Sequence, residues 1–279
     1  MADWRPMLNR RNGGIPRIMG VLNLTPDSFH ADSRVASLEE AVRRASDMVR
    51  NGAELIDVGG ESTRPGAAPV DPSEEVRRAI PVVEAIRSAL PSACISIDTR
   101  RAGVARAALD AGADMVNDVS ALSDPEMVDV VSEHGCPVCI MHMQGLPESM
   151  QDDPGYGDVV AEVREVLGNA ARSLFDAGVE PEMVIADPGI GFGKSLEQNL
   201  VLLAAGREVV PDHRMALMWG VSRKTMFHHL LGREDTRERL AGTLGVAAKA
   251  VGRGVDIIRV HDVAEHADLF AAMSALEGG

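Results

Sequence analysis

The run "DIIRVHDV", Asp256 to Val263, poses the question of fold and site together. It opens as an apolar, β-branched run, the way a strand buried on both faces reads. It then places Arg259 and His261 two residues apart, on the same face of that strand. Two donors converging at one strand end suit an anion. A lone strand leaving the core would carry them into solvent just as well, so the rest of the chain has to decide.

Seven more runs of the same kind precede it: "RIMGVLNL", "ELIDVGG", "CISIDT", "MVNDVS", "PVCIMH", "MVIADP" and "MALMWG". Their centres lack polar alternation, as parallel strands covered on both sides require. Helical stretches lie between them. "SLEEAVRRASDMVRNG" has Ser37 and Glu40 in capping-box spacing and Gly52 at the C-terminal turn, and "SLEQNLVLLAAGREVV" repeats the box with Ser195 and Gln198. "RAGVARAALDAG" and "PEMVDVVSEHG" are shorter crossovers, and Pro81 predicts a kink or restart in the helix after Pro72.

Eight strands alternating with helices predict an α/β chain folded as a (β/α)8 TIM barrel. The expectation is a single domain over 1–279, with the barrel core at about 17–277 and a short N-terminal extension over the barrel's bottom. A doubly wound open sheet is the structural runner-up, but no GxGxxG loop follows the first strand.

Composition narrows the function. The charged fraction of 25% and hydrophobic fraction of 45% are ordinary for a globular protein, while 3% aromatics leaves a core of aliphatic residues and methionine. A net charge of −14 argues against nucleic-acid or anionic-membrane partners. The absence of a membrane-length apolar run or a signal-like N-terminus leads us to expect a cytoplasmic protein. "CPVC" lies in a strand-like run with no second pair, so Cys94, Cys136 and Cys139 read as small core residues of a reduced protein.

A barrel of this kind carries its site at the C-terminal ends of the strands. Those ends are polar throughout: Asn23, Asp57, Asp98, Asn117 with Asp118, His142, Asp187, then Ser222, Arg223 and Lys224, and finally Arg259 and His261. Any one of them has a bland explanation as a cap, an Asx turn or a structural histidine. A polar residue at the same end of every strand does not, because buried carboxylates need a partner. Asp98, Asn117, Asp187 and Lys224 complement a flat heterocycle with both N–H donors and ring acceptors. Asn23, Arg259 and His261 would meet a phosphate or diphosphate, and "GVSRK" turns into a helix that adds backbone N–H groups. Asn23 also suits Mg²⁺, which travels with diphosphate.

The runs "MGVLNLTPDSF", "GAELIDVGGESTRPGA", "SIDT", "GADMVNDVS", "MHMQG", "DPGIGFGK", "GVSRK" and "IIRVHDV" resemble, in order, the signatures of bacterial dihydropteroate synthase from about Ile18 to Val263. The resemblance implies condensation of 6-hydroxymethyl-7,8-dihydropterin diphosphate with p-aminobenzoate, Mg²⁺ as cofactor, and a homodimer. It implies that Asp98, Asn117, Asp187 and Lys224 hold the pterin, with Asp57 in support. It further implies that Asn23, Arg259 and His261 hold the diphosphate, with Asn23 also on the metal. Thr63, Arg64, Pro65, Phe29 and Ser222 would bound the aminobenzoate pocket, with Met141 near the pterin and Phe192 near the aminobenzoate. Asn23, Asp98, Lys224, Arg259 and His261 would then carry catalysis.

Two positions depart from that family. Its first loop usually continues Ser-Phe-Ser-Asp-Gly-Gly, where this chain reads "DSFHADSR", so His30 and Asp32 become the candidates for closing the loop. Trp219 stands where a small aliphatic residue is usual. The alternatives are a pterin-binding methyltransferase barrel, such as the methyltetrahydrofolate:corrinoid enzymes, and a catalytically weakened pterin-binding paralogue. The first explains neither the anion clamp nor "GGESTRPGA"; the second has only the altered first loop in its support, every other matched position being intact.

Overall fold

The structure is a computed structural model that describes residues 8–24, 34–61, 70–145 and 155–277. Eight parallel strands close in sequence order: β1 (Arg17–Asn23), β2 (Leu55–Gly59), β3 (Cys94–Asp98), β4 (Met115–Asp118), β5 (Val138–Met141), β6 (Val184–Asp187), β7 (Ala216–Trp219) and β8 (Ile257–Val260). β8 pairs back onto β1, with Arg17 opposite Ile257 and Met19 opposite Arg259, so the sheet is a barrel and not an open doubly wound sheet.

Period-two alternation sorts each strand into two faces. Met19, Leu55, Cys94, Met115, Cys139, Ile185, Met218 and Ile257 point inward and fill the lower barrel. Leu8, 1% exposed, packs into the same cluster from the segment ahead of β1 and caps the barrel floor. The alternate residues, among them Ile18, Ile56, Ile97 and Val116, point outward into a second core beneath the helices. Trp219 belongs to that outer core and is fully buried there, so its bulk lies away from the barrel mouth. All three cysteines are free and buried.

The helices are α1 (Arg34–Arg50), α2 (Pro72–Ala89), α3 (Ala102–Asp110), α4 (Met127–His134), α5 (Val159–Asp176), α6 (Leu196–Ala205), α7 (Met226–Leu231), α8 (Leu240–Ala250) and α9 (Val263–Glu277). The capping box expected at α6 is present: Ser195 accepts from the Gln198 N–H while Gln198 accepts from the Ser195 N–H. At the other expected box the helix starts earlier than the sequence suggests: α1 already begins at Arg34, so Ser37 stands within it and not ahead of it. Gly52 follows α1 with φ of +102°, the left-handed stop that its position implied.

Pro81 neither breaks α2 nor restarts it. A proline inside a helix forfeits one backbone bond. Here Ala79, Val82, Val83 and Ile86 are all buried against the barrel and carry the helix through the gap. Tertiary packing outweighs the local cost.

Candidate active site

The inward-facing positions change character above the apolar layer. Asp57 is fully buried, and Asp98, Asn117 and Asp187 are 5%, 2% and 3% exposed. They come from four strands, yet one guanidinium joins two of the acids. Arg259 donates from Nε to Asp57 Oδ2 at 2.6 Å and from Nη2 to Asp98 Oδ2 at 2.7 Å. Asn117 Nδ2 donates to the same Asp57 oxygen at 3.0 Å, and Asp57 Oδ1 has no hydrogen-bond partner among the described residues.

This arrangement refines the expected division of labour. Arg259 reads from the sequence as part of an anion clamp, but it lies on the acceptors expected to face a heterocycle. Buried carboxylates demand a counter-charge, and Arg259 supplies it to Asp57 and Asp98. Burial pushes Asp98 up to about 7, against the pull of Arg259. Burial likewise raises Asp187, opposed by the Gly189 N–H and by Lys224 and Arg259. Burial works against the Arg259 cation, but Asp57 and Asp98 outweigh it and hold its pKa above the ordinary value.

Strands β7 and β8 supply the other wall. His261 Nδ1 meets Ser222 Oγ at 3.0 Å, and the His261 N–H donates to the same oxygen at 3.1 Å. Arg223 follows with φ of +58°, a left-handed conformation that a non-glycine residue adopts only when its surroundings impose it. They do so through Thr243, whose hydroxyl accepts the Arg223 N–H at 3.2 Å, and Arg239, which donates to the Arg223 carbonyl at 3.1 Å. The Arg223 side chain pairs with Asp262, Nε to Oδ2 at 3.0 Å, which ties the β7 loop to the end of β8. Lys224, one residue on, carries its ammonium 3.8 Å over the Phe192 ring, a cation–π contact.

These walls enclose a cavity of about 360 Å³, bounded by Asn23, Asp98, Phe192, Ser222, Lys224, Arg259 and His261. Thr225, Thr236 and Arg239 also line it. They stand outside every motif quoted above, and only the fold reveals them. Met141 is buried at the end of β5, in register with Asp187. Phe29, His30, Asp32, Thr63, Arg64 and Pro65 lie outside the described residues.

Two of the polar strand ends have structural duties. Asp118 caps its own loop, accepting from the Ser120 N–H at 2.7 Å and the Leu122 N–H at 3.0 Å. His142 Nδ1 lies 2.9 Å from Lys194 Nζ, and burial, reinforced by that ammonium, lowers the imidazole to about 3. Burial also pushes Lys194 down to about 7, with Asp187 pulling the other way.

Among the described residues no group of three or more His, Cys, Asp and Glu could hold a metal ion. Asn23 offers a single neutral oxygen at the cavity wall. That donor set fits Mg²⁺ bound chiefly through substrate phosphates and water, not a cage made by the protein alone. No helix among the described residues is long and apolar enough to cross a membrane.

A parallel barrel with buried acids and amide at its mouth, facing a cationic wall, is the architecture of a pterin-binding enzyme, and the family model described by those words matches residues 19–261. A dihydropteroate synthase of Synechocystis sp. is 44% identical over 93% of this chain and 89% of its own. The Xanthomonas albilineans dihydropteroate synthase solved with 4-aminobenzoic acid superposes with a TM-score of 0.87 at 40% identity, covering 95% of this chain and 94% of the other. The Burkholderia cenocepacia dihydropteroate synthase complexed with 7,8-dihydropteroate gives 0.85 at 42% identity, over 94% and 92%. The chain belongs to the dihydropteroate synthase family.

Proposed function

We propose that the chain condenses 6-hydroxymethyl-7,8-dihydropterin diphosphate with p-aminobenzoate, giving 7,8-dihydropteroate and diphosphate. One observation carries the reading: a single cavity joins the acid Asp98 to the donors Lys224, Arg259 and His261. Asp98 and Asp187 would accept the pterin's N–H groups, Asn117 and Lys224 would pair with the remaining ring atoms, and Asp57 would anchor Asn117. The methyltransferase alternative gives no role to an anion wall next to the pterin acceptors.

The aminobenzoate nitrogen is the nucleophile, so the protein needs none of its own. The carbon–oxygen bond to diphosphate breaks first, and its bonding pair leaves with the diphosphate oxygen. The nitrogen lone pair then forms the new bond to the pterin methylene, and the amine proton passes to solvent. We favour a dissociative course, because the pterin ring can delocalise positive charge at the methylene. His261, Arg259 and Asn23 would then face the charge that builds on the leaving group, where fixed donors act most strongly. For Arg259 this requires a partial release from Asp57 and Asp98, which the positive charge developing on the pterin would take over.

Mg²⁺ is the cofactor in this reading, neutralising diphosphate oxygens when bound, and Asn23 would hold it from the protein side. A homodimer belongs to the same reading. It is supported by Leu200 and Val201 on α6 and Leu230 and Leu231 on α7, all 41% exposed or more on helices that pack together. A cytoplasmic setting is supported by the three free cysteines.

Diphosphate release, measured in a coupled assay with both substrates and Mg²⁺, tests the reaction. Turnover should require both substrates, and Asn23→Ala should raise the Mg²⁺ concentration needed for half-maximal rate. A folded protein that binds the pterin but releases no diphosphate would mean a weakened paralogue.

A further inference from the structure

Lys194 closes the run "DPGIGFGK" and has no part in the chemistry above. It is 3% exposed, and a buried ammonium is tolerated only when its donors are satisfied. Its Nζ lies 2.9 Å from His142 Nδ1, 3.0 Å from the Gly189 carbonyl, 2.9 Å from the Phe192 carbonyl and 3.3 Å from the His142 carbonyl. The cage therefore joins two separate strand ends, that of β5 through His142 and that of β6 through the loop after Asp187.

That loop has little freedom of its own. Gly189 has φ of +69°, and a Cβ there would stand 1.8 Å from the His142 carbonyl oxygen, so the two backbones touch. The loop then turns back and sends the Phe192 ring into the cavity, beneath the Lys224 ammonium. Gly191 lies under the stem of the same lysine, where a Cβ would come within 3.2 Å of Lys224 Cδ. An unbroken series of contacts runs from the Lys194 cage through the Phe192 carbonyl and ring to Lys224.

We propose that Lys194 is a positioning residue for the pterin: its caged ammonium fixes the Gly189–Phe192 loop, so that the Phe192 ring seats Lys224 against the bound heterocycle. The role of Lys224 rests on the reaction proposed above; the cage does not. A lysine that served stability alone would, when removed, lower Tm and leave pterin affinity unchanged.

A double-mutant cycle between Lys194→Met and Phe192→Leu tests this, read by calorimetric binding of 6-hydroxymethyl-7,8-dihydropterin diphosphate without aminobenzoate. Each single variant should weaken binding about tenfold, the scale of coupling within one contact network. The double variant should bind within about twofold of the weaker single, because both changes unseat the same lysine. Losses that multiply, or a Lys194→Met protein with wild-type pterin affinity and only a lower Tm, would overturn the proposal. If Lys194→Met does not fold, Lys194→Gln, which keeps two N–H donors, takes its place in the cycle with the same two outcomes. Wild-type protein that binds the pterin diphosphate but never releases diphosphate would defeat the proposed reaction and leave the cycle readable.

Discussion

Arg259 holds Asp57 by a 2.6 Å bond across 202 residues of sequence, and the same guanidinium reaches Asp98. The pair reaches from β8 past its neighbour β1 to β2 and neutralises a carboxylate that has no exposure at all. Arg259 is thus a structural counter-ion as well as a candidate for the leaving-group wall.

Arg259→Ala and His261→Ala should therefore behave differently. Removing Arg259 strands two buried acids, and breaking a buried pair in this way typically costs roughly 3–5 kcal/mol. Denaturant unfolding should show that loss along with the loss of turnover. His261→Ala removes a group at the cavity wall and should leave the fold intact while lowering turnover roughly a hundredfold or more. Equal losses of stability in the two variants would count against the distinction.

Asp187→Asn keeps the size of the side chain but can turn a donor toward the pterin's own N–H groups. A mispaired buried group costs about 1–3 kcal/mol. It also risks the 2.7 Å bond from the Gly189 N–H that shapes the next loop. Calorimetry should show pterin binding lost with the far-UV circular dichroism unchanged; undiminished affinity would move Asp187 out of the binding surface.

Gly189→Ala should be far more damaging than a glycine-to-alanine change usually is. The position needs a left-handed backbone, worth about 1–3 kcal/mol in strain for other residues. It also has a carbonyl oxygen where the new carbon would go. We expect a lower Tm together with loss of pterin binding, since the loop must lift off His142. A variant with wild-type affinity would show that the loop tolerates displacement.

His142 and Asp98 should make opposite contributions to acid stability. The His142 pKa is lowered from 6.5 to about 3, so the fold favours its neutral form and loses that contribution as pH falls through this interval. The Asp98 pKa is raised from 3.8 to about 7, so without substrate the fold favours its protonated form and gains as pH falls from about 7 toward 4. Unfolding free energies measured from pH 7 to pH 4 should fall more steeply in Asp98→Asn than in wild type. They should fall less steeply, or rise, in His142→Gln. Parallel curves for all three proteins would remove both groups from the balance.

The barrel was legible in the residues alone, and so was the end of it where the candidate site lies. Hydrophobic period and strand spacing are local properties, and each polar strand end, from Asn23 to His261, could be read in place. Even Leu8 at the barrel floor follows from the expectation of a covering N-terminal extension. Which of those ends share a partner is fixed by barrel closure and not by any local signal. Nothing near Arg259 in sequence points to Asp57, nothing near Lys194 points to His142, and the turn at Arg223 is held by Thr243 and Arg239 from a later segment. Those pairings arise when barrel closure removes water from charged groups and leaves each the partners that the fold brings within reach. The same packing carries α2 through Pro81 and turns Trp219 away from the mouth. Local preference proposes such features, and the desolvated, close-packed whole selects among them.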